Sequence, residues 1–167
     1  KKKLMPLIHL PVQSGSNKIL KAMNRKHSIE DYQVLINKLK AVNPMIKFSS
    51  DFIIGYPGET ENDFRNTLKL LNKVEFINCY SFIYSPRPGT PAAKLSEIDY
   101  NISKKRLLTF QNTAEKIKLK YRRNLFQKTA LVLFENKLKN KDEFFGRDEY
   151  SNSVIVKTKE NLKGKIK

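Results

Sequence analysis

The sequence predicts an α/β fold: the C-terminal part of a parallel barrel or open sheet, then a long basic helix, then a small, incomplete all-β domain. Three observations carry this. Between residues 7 and 84 short β-rich apolar runs alternate with helical patterns, the signature of parallel βαβ units. From about 103 to 126 apolar residues recur three and four apart in a strongly basic segment. After Gln127 the apolar period falls to two. Three strands do not close a barrel, so the first part reads as the last portion of one.

The elements follow in order. Leu7-Ile-His9-Leu10 reads as a short strand, and Pro11 to Ser16 as a loop ending in a helix cap. A short helix follows with Ile19, Leu20 and Met23 on one side. Ser28 and Asp31 form a capping box for a second helix, whose buried stripe is Tyr32, Leu35, Ile36, Leu39 and Val42, with Pro44 ending it. Lys47 to Ile54 reads as a buried strand. Thr60 and Asp63 cap the next helix, with Phe64, Thr67, Leu68 and Leu71 inward. Asn78 to Tyr84 is an aromatic and β-branched strand running into a three-proline loop, Ser85 to Ala92. Residues 94–102 read as a linker. The basic helix carries its seam on Leu107, Phe110, Ala114, Ile117, Tyr121 and Leu125. Strands are predicted around 129–134, 144–147 and 154–156.

The chain has 167 residues, 40% of them hydrophobic, enough for a core. No apolar run approaches the roughly 20 residues that span a bilayer, which predicts no membrane partner. No signal peptide is visible. The first residue is Lys1 rather than Met, and the chain stops at Lys167 within a strand-like pattern, so a fragment is expected. The single cysteine, Cys79, makes no internal disulfide and by itself holds no cluster, and this usage fits a reducing cytoplasm. A monomer is expected. The net charge is +17, and it is uneven: residues 1–100 hold 15 Lys/Arg against 9 Asp/Glu, and residues 101–167 hold 18 against 7. This bias points to a polyanion, most simply nucleic acid; the alternative is a solvated, lysine-rich surface.

The stretch Asp51-Phe-Ile-Ile-Gly55-Tyr-Pro-Gly58-Glu59-Thr60 is the most informative part of the chain. It places a strand end, a glycine-bearing turn and a helix start together, where ligands sit in α/β folds; an ordinary βα turn is the alternative. In the loop after the first strand, Gln13 has no capping role and is the stronger ligand candidate. Ser14 is either a ligand contact or a cap, and Ser16 a cap. His9, between apolar neighbours, reads as a hydrogen-bonded core residue, and His27 as an exposed turn residue. No metal-ligand spacing and no Ser/His/Asp set can be assembled, and the residues by themselves show no reaction.

Four motifs then resemble one family. His9-Leu-Pro-Val-Gln-Ser-Gly-Ser16, Met23-Asn-Arg25-Lys-His27, Ser50 to Thr60 and Tyr80-Ser-Phe-Ile-Tyr-Ser-Pro-Arg-Pro-Gly-Thr-Pro-Ala92 stand in the order and spacing of the radical S-adenosylmethionine (SAM) methylthiotransferases. The likeness is nearest the tRNA-modifying MiaB type and covers about residues 4–167. It implies the C-terminal part of a TIM-like radical SAM barrel over 1–93, a linker and basic helix over 94–126, and a truncated TRAM domain, a small tRNA-binding β-barrel, over 127–167. It implies SAM and two 4Fe-4S clusters as cofactors, tRNA as partner, and a methylthio group placed on isopentenyl-adenosine beside the anticodon. The family's CxxxCxxC motif does not occur in this chain, so the reaction is assigned to a parent protein and this chain alone is expected to be inactive.

Residue by residue, the resemblance places Gln13 and Ser14 at the SAM-facing end of the barrel. It places Ile53, Ile54 and Gly55 on the strand that packs on the SAM adenine. Arg25 is either a partner of the SAM carboxylate or a surface contact. Arg87 is expected to touch RNA phosphate or the target base. Lys104, Lys105 and Arg106 on the basic helix, and Arg147 in a Gly146-Arg147 signature, are expected RNA contacts. Other targets remain open within the family: threonylcarbamoyl-adenosine in tRNA, or a ribosomal protein aspartate. Outside it, the alternative is a non-catalytic RNA-binding module.

Overall fold

The computed structural model describes residues 5–139 and 142–167. The first four residues of the predicted barrel portion lie outside the described residues. The chain divides into two compact units, one of His9–Asn124 and one that groups the residues up to Ile8 with Leu125–Lys167; the strand that ends at His9 nonetheless pairs into the sheet of the first.

The first unit is a three-stranded sheet with helices on one face. Strand β1 (Leu7–His9), β2 (Lys47–Ile54) and β3 (Asn78–Ile83) lie in the order β1-β2-β3. β2 and β3 are parallel, with Asp51 opposite Tyr80 and Ile53 opposite Phe82. Between the strands run helices α1 (Asn17–Ala22), α2 (Ile29–Val42) and α3 (Glu61–Val74). Both expected capping boxes are present: Ser28 with Asp31 on α2, and Thr60 with Asp63 on α3.

Period-two alternation decides what β2 shows to each side. Phe48, Ser50, Phe52 and Ile54 are buried. Phe52 packs edge-on to Phe76, with ring centroids 5.6 Å apart, and 4.7 Å from Phe110. On the other side Asp51 and Ile53 stay half-buried, and Tyr80 and Phe82 are 56% and 59% exposed. One face is thus core and the other is open.

The expected helix stripes hold in part. α3 buries Phe64, Thr67 and Leu71 as predicted, and adds Leu70 and Val74. On α2 the buried residues are Ile29, Tyr32 and Ile36, while Leu35 and Val42 are exposed. Only a narrow stripe at three- and four-residue spacing packs, and residues 35 and 42 fall beside it.

The long helix α4 (Tyr100–Arg123) starts earlier than the pattern indicated. Asp99, read as linker, is its N-cap, and its carboxylate accepts from Asn101 N and Ile102 N. α4 also belongs to the His9–Asn124 unit rather than standing apart: Phe110 is fully buried against Phe52. The boundary expected at 93/94 is therefore not a boundary of the fold.

The second unit is an antiparallel sheet of β4 (Val132–Lys137), β5 (Glu143–Asp148) and β6 (Ser153–Lys157). Leu133 bridges Ile166, and Val132 N donates to Lys167 O at 2.7 Å, so the chain end lies along β4. Val132, Phe134, Phe144 and Leu162 form the core. Gly146 is required there, because a Cβ would lie 2.5 Å from Leu133 O.

Candidate functional site

A cleft of about 700 Å³ opens beside the C-terminal ends of β2 and β3. Gln13, Arg25, Asp51 and Ile53 line it together with Tyr56, Phe82, Tyr84 and Arg87. Four of the predicted residues, Gln13, Arg25, Ile53 and Arg87, thus meet from four separate motifs.

Gln13 reaches the cleft because its backbone is clamped in an unusual shape. It has φ 75, a left-handed conformation uncommon for a non-glycine residue. Gln13 N donates to Asp51 O at 3.0 Å and Ile53 N donates to Gln13 O at 3.0 Å. The loop is thereby pinned to β2 on both sides.

Its neighbours turn the other way, which corrects the SAM-facing role expected for Ser14. Ser14 is 1% exposed; its hydroxyl accepts from Ser16 N at 3.2 Å and lies 3.5 Å from Thr67 Oγ1. Gly15 N donates to Thr67 Oγ1 at 2.9 Å, and a Cβ on Gly15 would lie 2.5 Å from Asn66 O. Ser16 donates its hydroxyl to Asp63 Oδ1 at 2.7 Å and caps α1. Burial alone would raise the Asp63 carboxyl. The hydrogen bonds from Ser16 and Thr60, with Lys18 at 3.1 Å, outweigh it and hold Asp63 well below the usual carboxylate range. Ser14, Gly15 and Ser16 therefore join the loop to α3.

The expected adenine edge splits in the same manner. Ile53 lines the cleft, but Ile54 is fully buried on the helix-covered face, as alternation demands. Gly55 is covered by α4: with φ +73, a Cβ on it would lie 2.3 Å from Ser103 Oγ. Neither Ile54 nor Gly55 lines the cleft.

Arg106 is corrected most sharply. It is 8% exposed, and its Nη1 donates to Glu59 Oε1 at 2.8 Å, so it presents no free charge to RNA. It lies four residues before Phe110, on the buried stripe of α4. Lys104 and Lys105 are exposed, as is Arg147 in the second unit. The Arg147 guanidinium lies over Phe145 at 5.7 Å and 3.8 Å from Glu135.

Sequence reasoning missed Tyr56 and Tyr84. Their rings meet edge-on at 5.1 Å in the cleft wall, and Tyr56 donates its hydroxyl to Ala22 O at 2.9 Å. The Tyr84 hydroxyl is buried with no hydrogen-bond partner. His9 is exposed rather than core. Its Nδ1 lies 2.9 Å from Ser49 Oγ and its Nε2 3.4 Å from Asp51 Oδ2. Strand alternation had been the available signal.

The cleft suits an organic cofactor with a flat purine and a carboxylate: apolar Ile53, aromatic edges and two exposed arginines converge on it. An iron–sulfur cluster does not fit the residues present. No group of three His, Cys, Asp or Glu able to hold a metal stands together among the described residues. Burial pushes the Cys79 thiol up to about 12, opposite to what a cluster ligand needs. No helix among the described residues is long and apolar enough to cross a membrane.

Comparison with known proteins agrees with the motifs. Residues 1–71 match the radical SAM superfamily. The tRNA-2-methylthio-N(6)-dimethylallyladenosine synthase of Pelagibacter ubique (strain HTCC1062) is 57% identical over 153 residues, 92% of this chain and 34% of that protein. The enzyme of the same name from Wolbachia pipientis subsp. Culex pipiens (strain wPip) is 49% identical over 92% of the chain and 36% of its own length. That from Rickettsia rickettsii (strain Sheila Smith) is 48% identical over 98% of the chain and 37% of its own length. The chain spans about a third of the length of these relatives. The motifs agree with the superfamily match over residues 1–71 and with these relatives, to which the chain is similar over more than nine-tenths of its own length.

Proposed function

We propose that the protein containing this chain inserts a methylthio group into prenylated adenosine of tRNA, and that residues 9–124 supply the wall that holds SAM and the target nucleoside. The names of the relatives support the reaction. The convergence of Gln13, Arg25, Ile53 and Arg87 on one cleft carries the assignment of the site. SAM held in this cleft would supply the radical chemistry, with the residues of the chain as its binding wall. The chain's own residues bind and orient. Ile53 offers an apolar edge to a purine. The guanidinium of Arg25 matches a carboxylate, and that of Arg87 a phosphate or base edge. Gln13, fixed by its backbone clamp, presents its amide at a set position.

The proposal extends to two 4Fe-4S clusters held elsewhere in the parent enzyme, to a TRAM-type role for residues 127–167, and to a monomer acting in the cytoplasm. Lys104 and Lys105, with Arg147 in the other unit, are proposed as phosphate contacts, supported by the basic bias of the C-terminal third. The test is nucleoside mass spectrometry of tRNA from a host lacking its own methylthiotransferase and supplied with the full-length gene. The methylthio group is expected on dimethylallyl-adenosine. Its appearance on threonylcarbamoyl-adenosine or on ribosomal protein, or on nothing, refutes the assignment.

A further inference from the structure

We infer that Arg106 is a positioning residue for the cleft: through Glu59 it fixes the turn that carries Tyr56. The inference rests on the reading of this cleft as the SAM and nucleoside site, and it deepens that reading by adding a residue from outside the cleft.

The geometry is a relay of four contacts. Arg106 Nη1, from α4, donates to Glu59 Oε1 at 2.8 Å and to the Glu59 carbonyl at 3.1 Å. The same Oε1 accepts Gly55 N at 3.2 Å, and Glu59 N donates to Tyr56 O at 2.9 Å. One carboxylate oxygen therefore closes the turn from within while Arg106 holds it from α4. Beyond the turn, Tyr56 reaches Ala22 O with its hydroxyl and braces Tyr84 with its ring. Tyr56 lines the cleft beside Ala22, Met23 and Arg25.

Stability alone does not account for this arrangement. The Glu59 side chain is 1% exposed and that of Arg106 10% exposed. Desolvating both charges costs several kcal/mol, and an apolar pair of similar volume commonly serves stability as well or better. Burial pushes the Glu59 carboxyl up, against the pull of Arg106, and Glu59 Oε2 has no hydrogen-bond partner. What the pair supplies that an apolar pair would not is direction: a carboxylate oxygen held at the Gly55 amide, and a single guanidinium nitrogen, Nη1, that reads both the side chain and the carbonyl of Glu59. The Arg106 guanidinium lies over the Phe64 ring at 5.7 Å, and its Nε, which has no hydrogen-bond partner, lies 3.5 Å from Glu61 Oε2.

The experiment uses the full-length enzyme with Arg106→Gln and Arg106→Lys. It reads amide exchange by mass spectrometry at residues 55–60, the Kd for SAM, and KM against kcat for SAM. Arg106→Gln is expected to speed exchange in the turn at least about tenfold while β6 is unchanged, and to raise the SAM Kd and KM about tenfold with kcat near wild type. Arg106→Lys keeps a charged donor and is expected to keep most of the protection and affinity. Should Arg106→Gln not fold, Glu59→Gln, which retains an acceptor for Gly55 but loses the ion pair, is expected to loosen the turn in the same direction. Unchanged exchange in the turn overturns the inference, as does equal damage by Lys and Gln, or a loosened turn with unaltered SAM affinity. A wild-type enzyme that binds no SAM refutes the reading of the cleft instead. The Arg106 relay is then judged by exchange alone, with protection lost in Gln and kept in Lys supporting it.

Discussion

Replacing Gly55 by alanine should cost far more than a surface methyl, for two separable reasons. The first is conformational: φ at Gly55 is +73, and a side chain in that region costs roughly 1–2 kcal/mol. The second is steric, because the new Cβ would lie 2.3 Å from Ser103 Oγ and 2.9 Å from Ser103 Cβ; overpacking of this kind costs typically about 1–3 kcal/mol. Gly55→Ala alone is therefore expected to destabilise the His9–Asn124 unit by about 2–5 kcal/mol. Ser103→Gly removes both clashing atoms but places a glycine in α4, at about 1 kcal/mol. In the double variant only the conformational cost and the helix cost remain, about 2–3 kcal/mol in all. The double variant should thus be more stable than the sum of the two singles predicts, by the steric share of about 1–3 kcal/mol. Urea unfolding followed by amide exchange in β2 and α4 reads this unit without the other. Additivity of the two substitutions to within about 0.5 kcal/mol would refute the close approach of α4 to the turn.

Two further outcomes are expected. Because the Asp63 carboxyl is held low in the folded chain, its contribution is present above the ordinary carboxylate pKa of about 4 and fades as pH falls below it; Asp63→Asn should lower stability at pH 7 and flatten the acid limb of a thermal-melt series. Lys104→Ala with Lys105→Ala should weaken tRNA binding by the full-length enzyme and reduce the slope of log affinity against log salt by about 1.5–2, measured by filter binding; an unchanged slope would leave these lysines as a solvated face.

Regular elements were legible in the sequence, and chain reversals were not. The strand over Lys47–Ile54 and the two Ser/Thr–Asp capping boxes were readable because each depends on residues one turn or one pleat apart, although the strand, read as buried, leaves Asp51 and Ile53 on the cleft. The loop residues were only half readable. Gln13 and Ser14 are adjacent and both polar, yet the positive φ at Gln13 sends one side chain to the cleft and the other to Thr67; no local pattern encodes that divergence. Gly55 looked like a place for a ligand to approach, and the close neighbour is Ser103, 48 residues away. Arg106 was misread for a different reason: its charge suggested solvent, although its spacing to Phe110 already put it on the buried side. Position on the helix outweighed residue type because Glu59 was waiting there as a counter-ion.

The central strand keeps its two tasks on alternate residues. Phe52 and Ile54 answer to the packing beneath them, while Ile53 faces the cleft and Asp51 faces the cleft and His9. Substitutions at Asp51 and Ile53 can alter the chemistry of the cleft with little claim on the core. The same division makes length intolerant where identity is not. One residue inserted between Phe48 and Ile54 would exchange the faces of everything beyond it, carrying Ile53 into the interior and a buried side chain into the cleft. At Asp51 and Ile53 replacement is therefore tolerated where insertion is not.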